Sequence, residues 1–297
     1  MTHTAVLLCG HGSRDPEAIT EFELAAATLR PRLPEFDFST GYLEFARPTI
    51  HDGLALLAAR GARRILAIPG MLLAASHVKN DLPWEMNSFI ADHPTVDVRL
   101  GRDLGIDATL LRAAADRIGA ATADTKIPRS DTLLLVVGRG TNDPDANSNI
   151  SKIARMLWEG MGLGWAEAAF CGVAHPRVDE ALTRAAGLGF HRIIVFPYFL
   201  FTGVLVKRIY AQTDTIAALF PEIEFIKALY LRGHQGVLDA FSERVAEFGE
   251  GQPSMNCQLC KYRTQIIGYE QDAGVPQAGH HHHVRGIGTE DHHHHHR

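Results

Sequence analysis

Short apolar runs alternate along the chain with longer segments of mixed polarity, which predicts strands and helices in turn. The first series reads as strands over 5–9, 36–43, 64–69 and 96–100. Between and after them come helices from the Asp15-Pro16 pair to about residue 30, over 48–60, from 76 to about 93, and over 106–118. Asp15 and Pro16 suit the N-cap and first helical position, since one accepts a backbone hydrogen bond there and the other has no N–H to lose. Residues 121–129 are small or polar and contain Pro128, so they read as a linker. A second series follows, with strands over 132–137, 168–171, 192–196 and 223–227, and helices from about 146, over 178–188, 204–220 and 235–248. Strand–helix alternation of this kind implies βαβ units and parallel sheets, an α/β fold.

The two series are copies. Adding 128 to the number maps Gly10, Gly12, Asp15 and Pro16 onto Gly138, Gly140, Asp143 and Pro144. The same shift maps Pro48, Gly61, Arg64, Pro69 and Lys79 onto Pro176, Gly189, Arg192, Pro197 and Lys207. One register held through several loops argues for duplication. The expected domains are therefore 1–125 and 130–250, with a tail over 251–297.

That register singles out three side chains. His11 follows the first strand, Glu44 the second and His77 the third, so a parallel sheet puts all three at one carboxyl edge, where open α/β sheets build their sites. In the second copy the corresponding residues are Arg139, Gly172 and Leu205. Scaffold residues are kept twice and the candidate ligands once, which sets His11, Glu44 and His77 apart from packing residues. Two imidazoles with an open coordination sphere suit a divalent first-row ion such as cobalt, nickel or iron. Taken singly, each has a plainer reading: a histidine that only hydrogen-bonds, glycines that only shape a turn or offer amides to an anion, a glutamate paired with Arg47. Apolar residues 70–75 lie before His77, and Tyr198-Phe199-Leu200-Phe201 lie at the matching place in the second copy. Both runs offer apolar surface to a flat ligand, and Arg14, Arg47, Lys79, Arg139, Lys207 and Arg208 are near enough along the chain to meet carboxylates.

Charge narrows the partner. Thirty-four acidic residues against 29 basic ones give a net charge of -5, without the broad basic field that nucleic acid or an anionic membrane requires. No spanning apolar segment or signal peptide is evident, so the chain is expected in the cytosol. In that reducing setting Cys9 and Cys171, inside apolar runs, are expected to pack, whereas Cys257 and Cys260 form a CxxC and are candidate ligands. Nine of the 17 histidines fall in the last eighteen residues, the composition of an affinity tag or of a metal-buffering arm.

The segments LLCGHGSRDP, LEFARPTI and PGMLLAASHVKNDLP resemble the class II chelatases, and specifically their long-form sirohydrochlorin cobaltochelatase branch of the CbiX type. The resemblance covers the whole chain, including a tail with Met255, Cys257 and Cys260 and histidine clusters. It implies two flavodoxin-like or Rossmann-like domains and insertion of Co2+, as substrate, into sirohydrochlorin during cobalamin (vitamin B12) biosynthesis without ATP. It implies catalytic and metal-binding roles for His11 and His77, with an acidic residue at Glu44. It also associates the CxxC of Cys257 and Cys260 with an iron-sulfur cluster, for which two thiolates are too few by themselves. Arg139 and Leu205 depart from the pattern, so a second catalytic site is not expected. The other readings are insertion of iron for sirohaem, a histidine phosphatase, which the glycine before His11 disfavours, and a metal store or metallochaperone centred on the tail. The assembly state is open, a homodimer being one form.

Overall fold

The computed structural model describes residues 3–250. Two four-stranded parallel sheets carry the chain. The first holds β1 (Thr4–Gly10), β2 (Asp37–Tyr42), β3 (Arg64–Pro69) and β4 (Asp97–Leu100) in the order β2-β1-β3-β4. The second holds β5 (Thr132–Gly138), β6 (Trp165–Phe170), β7 (Arg192–Pro197) and β8 (Glu224–Lys227) in the order β6-β5-β7-β8. Central strands buried on both faces, Ala5 to Cys9 and Leu133 to Val137, read as unbroken apolar runs because helices cover both sides of such sheets.

Helix α1 (Pro16–Leu29) starts where Asp15 accepts a hydrogen bond from the Glu17 amide, and α5 (Pro144–Met161) starts in the same way at Asp143. The second of these begins two residues earlier than the periodicity suggests, since the apolar pattern starts only at Ala146 while the cap has already closed the first turn. Helix α2 (Ile50–Ala59) is capped by Thr49 rather than opened by Pro48: Thr49 and Asp52 exchange backbone-to-side-chain hydrogen bonds of 2.9 and 3.1 Å. Its counterpart α6 (Val178–Ala186) follows Arg177. Edge strand β6 lies at 165–170, not 168–171, because Trp165 is exposed, the next three residues are only half-buried and its first half carries no apolar run.

Contacts divide the described chain at Leu104 and Ala240. The unit around the first sheet ends with the carboxyl-terminal part of α8 (Gln235–Glu250), where Glu247 pairs with Arg102 at 2.7 Å. The unit around the second sheet takes α4 (Ala108–Ala121), whose Arg117 donates to the Leu231 carbonyl at 3.1 Å.

The repeat is closest at the backbone. β1 and β5, β3 and β7, and the starts of α1 and α5 are each 128 residues apart. So are the bridges Tyr42–Thr49 and Phe170–Arg177, the cis prolines Pro48 and Pro176, and the positive φ of Phe45 (60°) and Val173 (56°). The register slips once. Arg64 pairs with Asp97, 33 residues on, but Arg192 pairs with Glu224, 32 residues on. Core positions locate the slip: Val78 corresponds to Val206, but Leu82, Met86 and Phe89 correspond to Ile209, Thr213 and Ile216, one residue short of the shift. Between them lies a turn of π-helix, His77–Asp81, that leads into α3 (Leu82–Asp92), whereas α7 (Val204–Ala217) is α-helical from its start. An i→i+5 turn takes up the additional residue without moving the core face. The predicted plain helix from residue 76 is corrected accordingly.

Candidate metal centre

The loops after β1, β2 and β3 are laced together by their main chains. Leu43 donates to the Gly10 carbonyl at 2.9 Å, Glu44 to the His11 carbonyl at 3.0 Å, and Gly70 to the Cys9 carbonyl at 2.7 Å. Gly12 makes this possible. Its φ is 91°, and a Cβ there would lie 1.6 Å from the Glu44 carbonyl oxygen, so only glycine lets the first loop lie on the second. Segment 70–75 is fastened on its far side, where the buried Asp103 accepts the Ala74 amide at 2.9 Å and Leu104 donates to Met71 at 3.1 Å. β1 and β3 flank the point where the strand order reverses, and His11 and His77 follow those two strands.

This scaffold brings the three predicted side chains together. His11 Nε2 lies 3.1 Å from His77 Nε2 and 3.3 Å from Glu44 Oε1. Among the described residues they form a set whose ligand atoms all lie within 4.8 Å of one another. Glu44 is buried, and the two histidines are partly exposed.

The far side of each ring fixes its tautomer. His11 Nδ1 lies 2.9 Å from the Gly12 carbonyl, and His77 Nδ1 lies 2.9 Å from Asp81 Oδ2. Carbonyl and carboxylate oxygens only accept, so both Nδ1 atoms donate, and in the neutral rings both Nε2 atoms are acceptors. Two imidazole acceptors and a carboxylate thus face one another, an arrangement that a cation relieves. Two nitrogens each about 2.1 Å from one first-row ion stand roughly 3.0–3.4 Å apart when they subtend about 90–110°, which brackets the 3.1 Å seen here.

Around this set, Met71, Leu72 and Leu73 are half-buried, giving an apolar flank. Arg14 is exposed and lies over the Phe45 ring, 4.8 Å from its centroid, whereas Lys79 is buried and so is not an ordinary solvated charge. Burial, with Glu85 nearby, holds the Cys9 thiol well above its usual range and therefore protonated, in keeping with a packing role. Asp81 and Asp103 were not evident in the sequence; an aspartate four residues after a candidate histidine on a helix is the signal that was available for the first. Cys257, Cys260 and both histidine clusters lie outside the described residues.

The second half keeps the loop crossing and changes its side chains. A Cβ on Gly140 would lie 1.9 Å from the Gly172 carbonyl, as at Gly12, but Arg139 and Gly172 replace His11 and Glu44. Burial raises the Cys171 thiol to about 11, a rise that the guanidinium groups of Arg139, Arg208 and Arg177 partly offset. The same edge of the second half is therefore cationic where the first half gathers acceptors.

Comparison with known proteins agrees with the duplication. The CbiX family model matches residues 5–121 and again 133–248. A sirohydrochlorin cobaltochelatase of Priestia megaterium is 36% identical over 263 residues, covering 89% of this chain and 86% of that protein. A sirohydrochlorin ferrochelatase of the same organism is 32% identical, over 81% of this chain and 89% of its own length. Among solved structures, SirB from Bacillus subtilis with Fe3+ is 28% identical, with a TM-score of 0.75 over 85% of this chain and 99% of that one. A cobalt complex of the SirB sirohydrochlorin chelatase from the spizizenii subspecies has a TM-score of 0.72 at 27% identity, with the same coverage.

Proposed function

The chain belongs to the CbiX family, and on that premise we propose that it is a sirohydrochlorin cobaltochelatase, a lyase of cobalamin biosynthesis working through His11, His77 and Glu44. The observation that carries this reading is the convergence of two imidazole Nε2 atoms and one carboxylate oxygen within 4.8 Å.

The substrates are Co2+ and sirohydrochlorin. Insertion exchanges two pyrrole N–H protons for one divalent ion, so the protein must hold the ion, loosen its water shell and receive protons. His11 and His77 hold the ion by Nε2 and leave most of its coordination sphere to water and then to the macrocycle. Glu44, buried and 3.3 Å from His11 Nε2, accepts a pyrrole proton; His11 or His77, once the ion has passed to the ring, can take another. The half-buried run Met71-Leu72-Leu73 offers one face of the ring an apolar surface, which lowers the local dielectric around the exchange. Because neutral imidazole and carboxylate donors accept several first-row ions, this donor set also accommodates Fe2+, the metal of the ferrochelatase relatives.

The test is an anaerobic absorbance assay of sirohydrochlorin with Co2+, Ni2+ and Fe2+, comparing wild type with His11→Ala and His77→Ala. We expect turnover with Co2+ in wild type and its loss in both variants. Normal turnover in both variants would overturn the site, and no turnover with any of the three metals would overturn the function.

A further inference from the structure

We propose that Asp81 is a positioning residue, which locks His77 in the Nδ1–H tautomer and aims its Nε2 at the substrate ion. This rests on the reading of His11, His77 and Glu44 as the metal-holding set.

Three observations meet at this residue. Asp81 Oδ2 accepts from His77 Nδ1 at 2.9 Å, and the Asp81 side chain is only 3% exposed. Its other oxygen, Oδ1, accepts from the Asn80 side chain at 3.2 Å, so the carboxylate itself is oriented. A buried carboxylate behind an imidazole fixes which ring nitrogen bears the proton and makes the opposite nitrogen a better donor to a metal ion.

The third observation is the register slip. Lys79 corresponds to Lys207 and Leu82 to Ile209, so Asn80 and Asp81 together stand against the single residue Arg208. The residue that makes the π turn is thus part of the pair that supports His77, and the half lacking that residue has neither the histidine nor a carboxylate behind its position. His11 does not depend on such a group, because its Nδ1 is held by the Gly12 carbonyl of its own loop. The two imidazoles are therefore held unequally: one by scaffold present in both halves, the other by an acid that only the first half contains.

The experiment uses the full chain. Histidine nitrogen NMR, with His77 assigned by difference against His77→Ala, should show Nδ1 protonated in wild type and a mixed or Nε2-protonated ring in Asp81→Asn. In the anaerobic assay, Asp81→Asn should raise the Co2+ concentration needed for half-maximal turnover by roughly 10–100-fold while leaving the KM for sirohydrochlorin within twofold. Asn80→Ala should shift the Co2+ requirement much less. A wild-type His77 protonated at Nε2 would overturn the proposal without Asp81→Asn having to fold. An unchanged Co2+ requirement in Asp81→Asn, with His77→Ala inactive, would overturn this inference alone; an unchanged requirement in His77→Ala would overturn the metal site with it.

Discussion

The loops after β1 and β5 are superimposable in design and opposite in chemistry. Each ends its strand in glycine, turns through a second glycine at φ 91° or 81°, and passes to a helix capped by aspartate. Between the glycines stands His11 in one and Arg139 in the other. The unusual backbone at Phe45 and Val173 is likewise shared. Strained positions often mark function, but here the strain occurs in both halves and so belongs to the loop crossing. What distinguishes the first half is its acceptors and its additional residue: His11, Glu44, His77, and the π turn that carries Asp81.

The largest effect should come from exchanging those side chains. His11→Arg puts the second half's residue into the first and replaces an acceptor beside Glu44 and His77 with a cation, so Co2+ insertion should fall by at least about a hundredfold. The reciprocal Arg139→His should leave turnover within about twofold, since neither Glu44 nor His77 has a counterpart there. Steady-state rates under anaerobic conditions check both. Comparable losses in the two variants would mean that both edges work on the metal, and the asymmetry would be wrong.

A more moderate effect should be shared by the halves. Gly12→Ala and Gly140→Ala each force a Cβ into a neighbouring carbonyl at a positive φ, so each should destabilise its unit by at least about 2 kcal/mol. Thermal unfolding should register this as a fall of roughly 4–8 °C. Activity separates the two: Gly12→Ala also pushes away the backbone of Glu44 and should lose turnover at temperatures where it remains folded, whereas Gly140→Ala should not. A silent Gly140→Ala would show that the crossing is tight only where the metal ligands stand.

Much of this was legible because the repeat is written in residues with sharp local chemistry. Glycine at positive φ, aspartate at an N-cap and proline at the first helical position tolerate few substitutes, so their spacing of 128 survived where the apolar residues between them drifted. Convergence of His11, Glu44 and His77 followed from topology alone, since a parallel sheet gathers its strand ends. The π turn did not, because its evidence is a one-residue difference in core spacing, Val78 to Leu82 against Val206 to Ile209, visible only once the buried positions are known. Edge strand β6 was misplaced for a related reason: Trp165 is exposed and the strand is short of the apolar burial that marks β5 and β7.

The smallest expected difference lies in the caps of α2 and α6. In the first half the cap is reciprocal, with Thr49 and Asp52 each accepting from the other's amide. In the second, Glu180 accepts from the Arg177 amide at 2.9 Å, but arginine offers no oxygen in return. Burial by itself would raise the Asp52 pKa; the Thr49 hydrogen bonds, helped by Arg47 and His51, outweigh it and lower it. A folded-state pKa below the unfolded value of about 3.9 means the ionised carboxylate adds stability that is present above that value and is lost as pH falls through the folded one. Asp52→Asn should therefore cost about 1 kcal/mol at pH 7 and progressively less below about pH 4. Glu180→Gln should shift the melting temperature less than Asp52→Asn at pH 7, because Glu180 makes only one leg of its cap whereas Thr49 and Asp52 make both. Melting curves of both variants against wild type at pH 7 and pH 3 check the order. Equal shifts at pH 7 would mean that the reciprocal bond from Thr49 adds nothing, and that the two halves differ only where the metal ligands and the π turn make them differ.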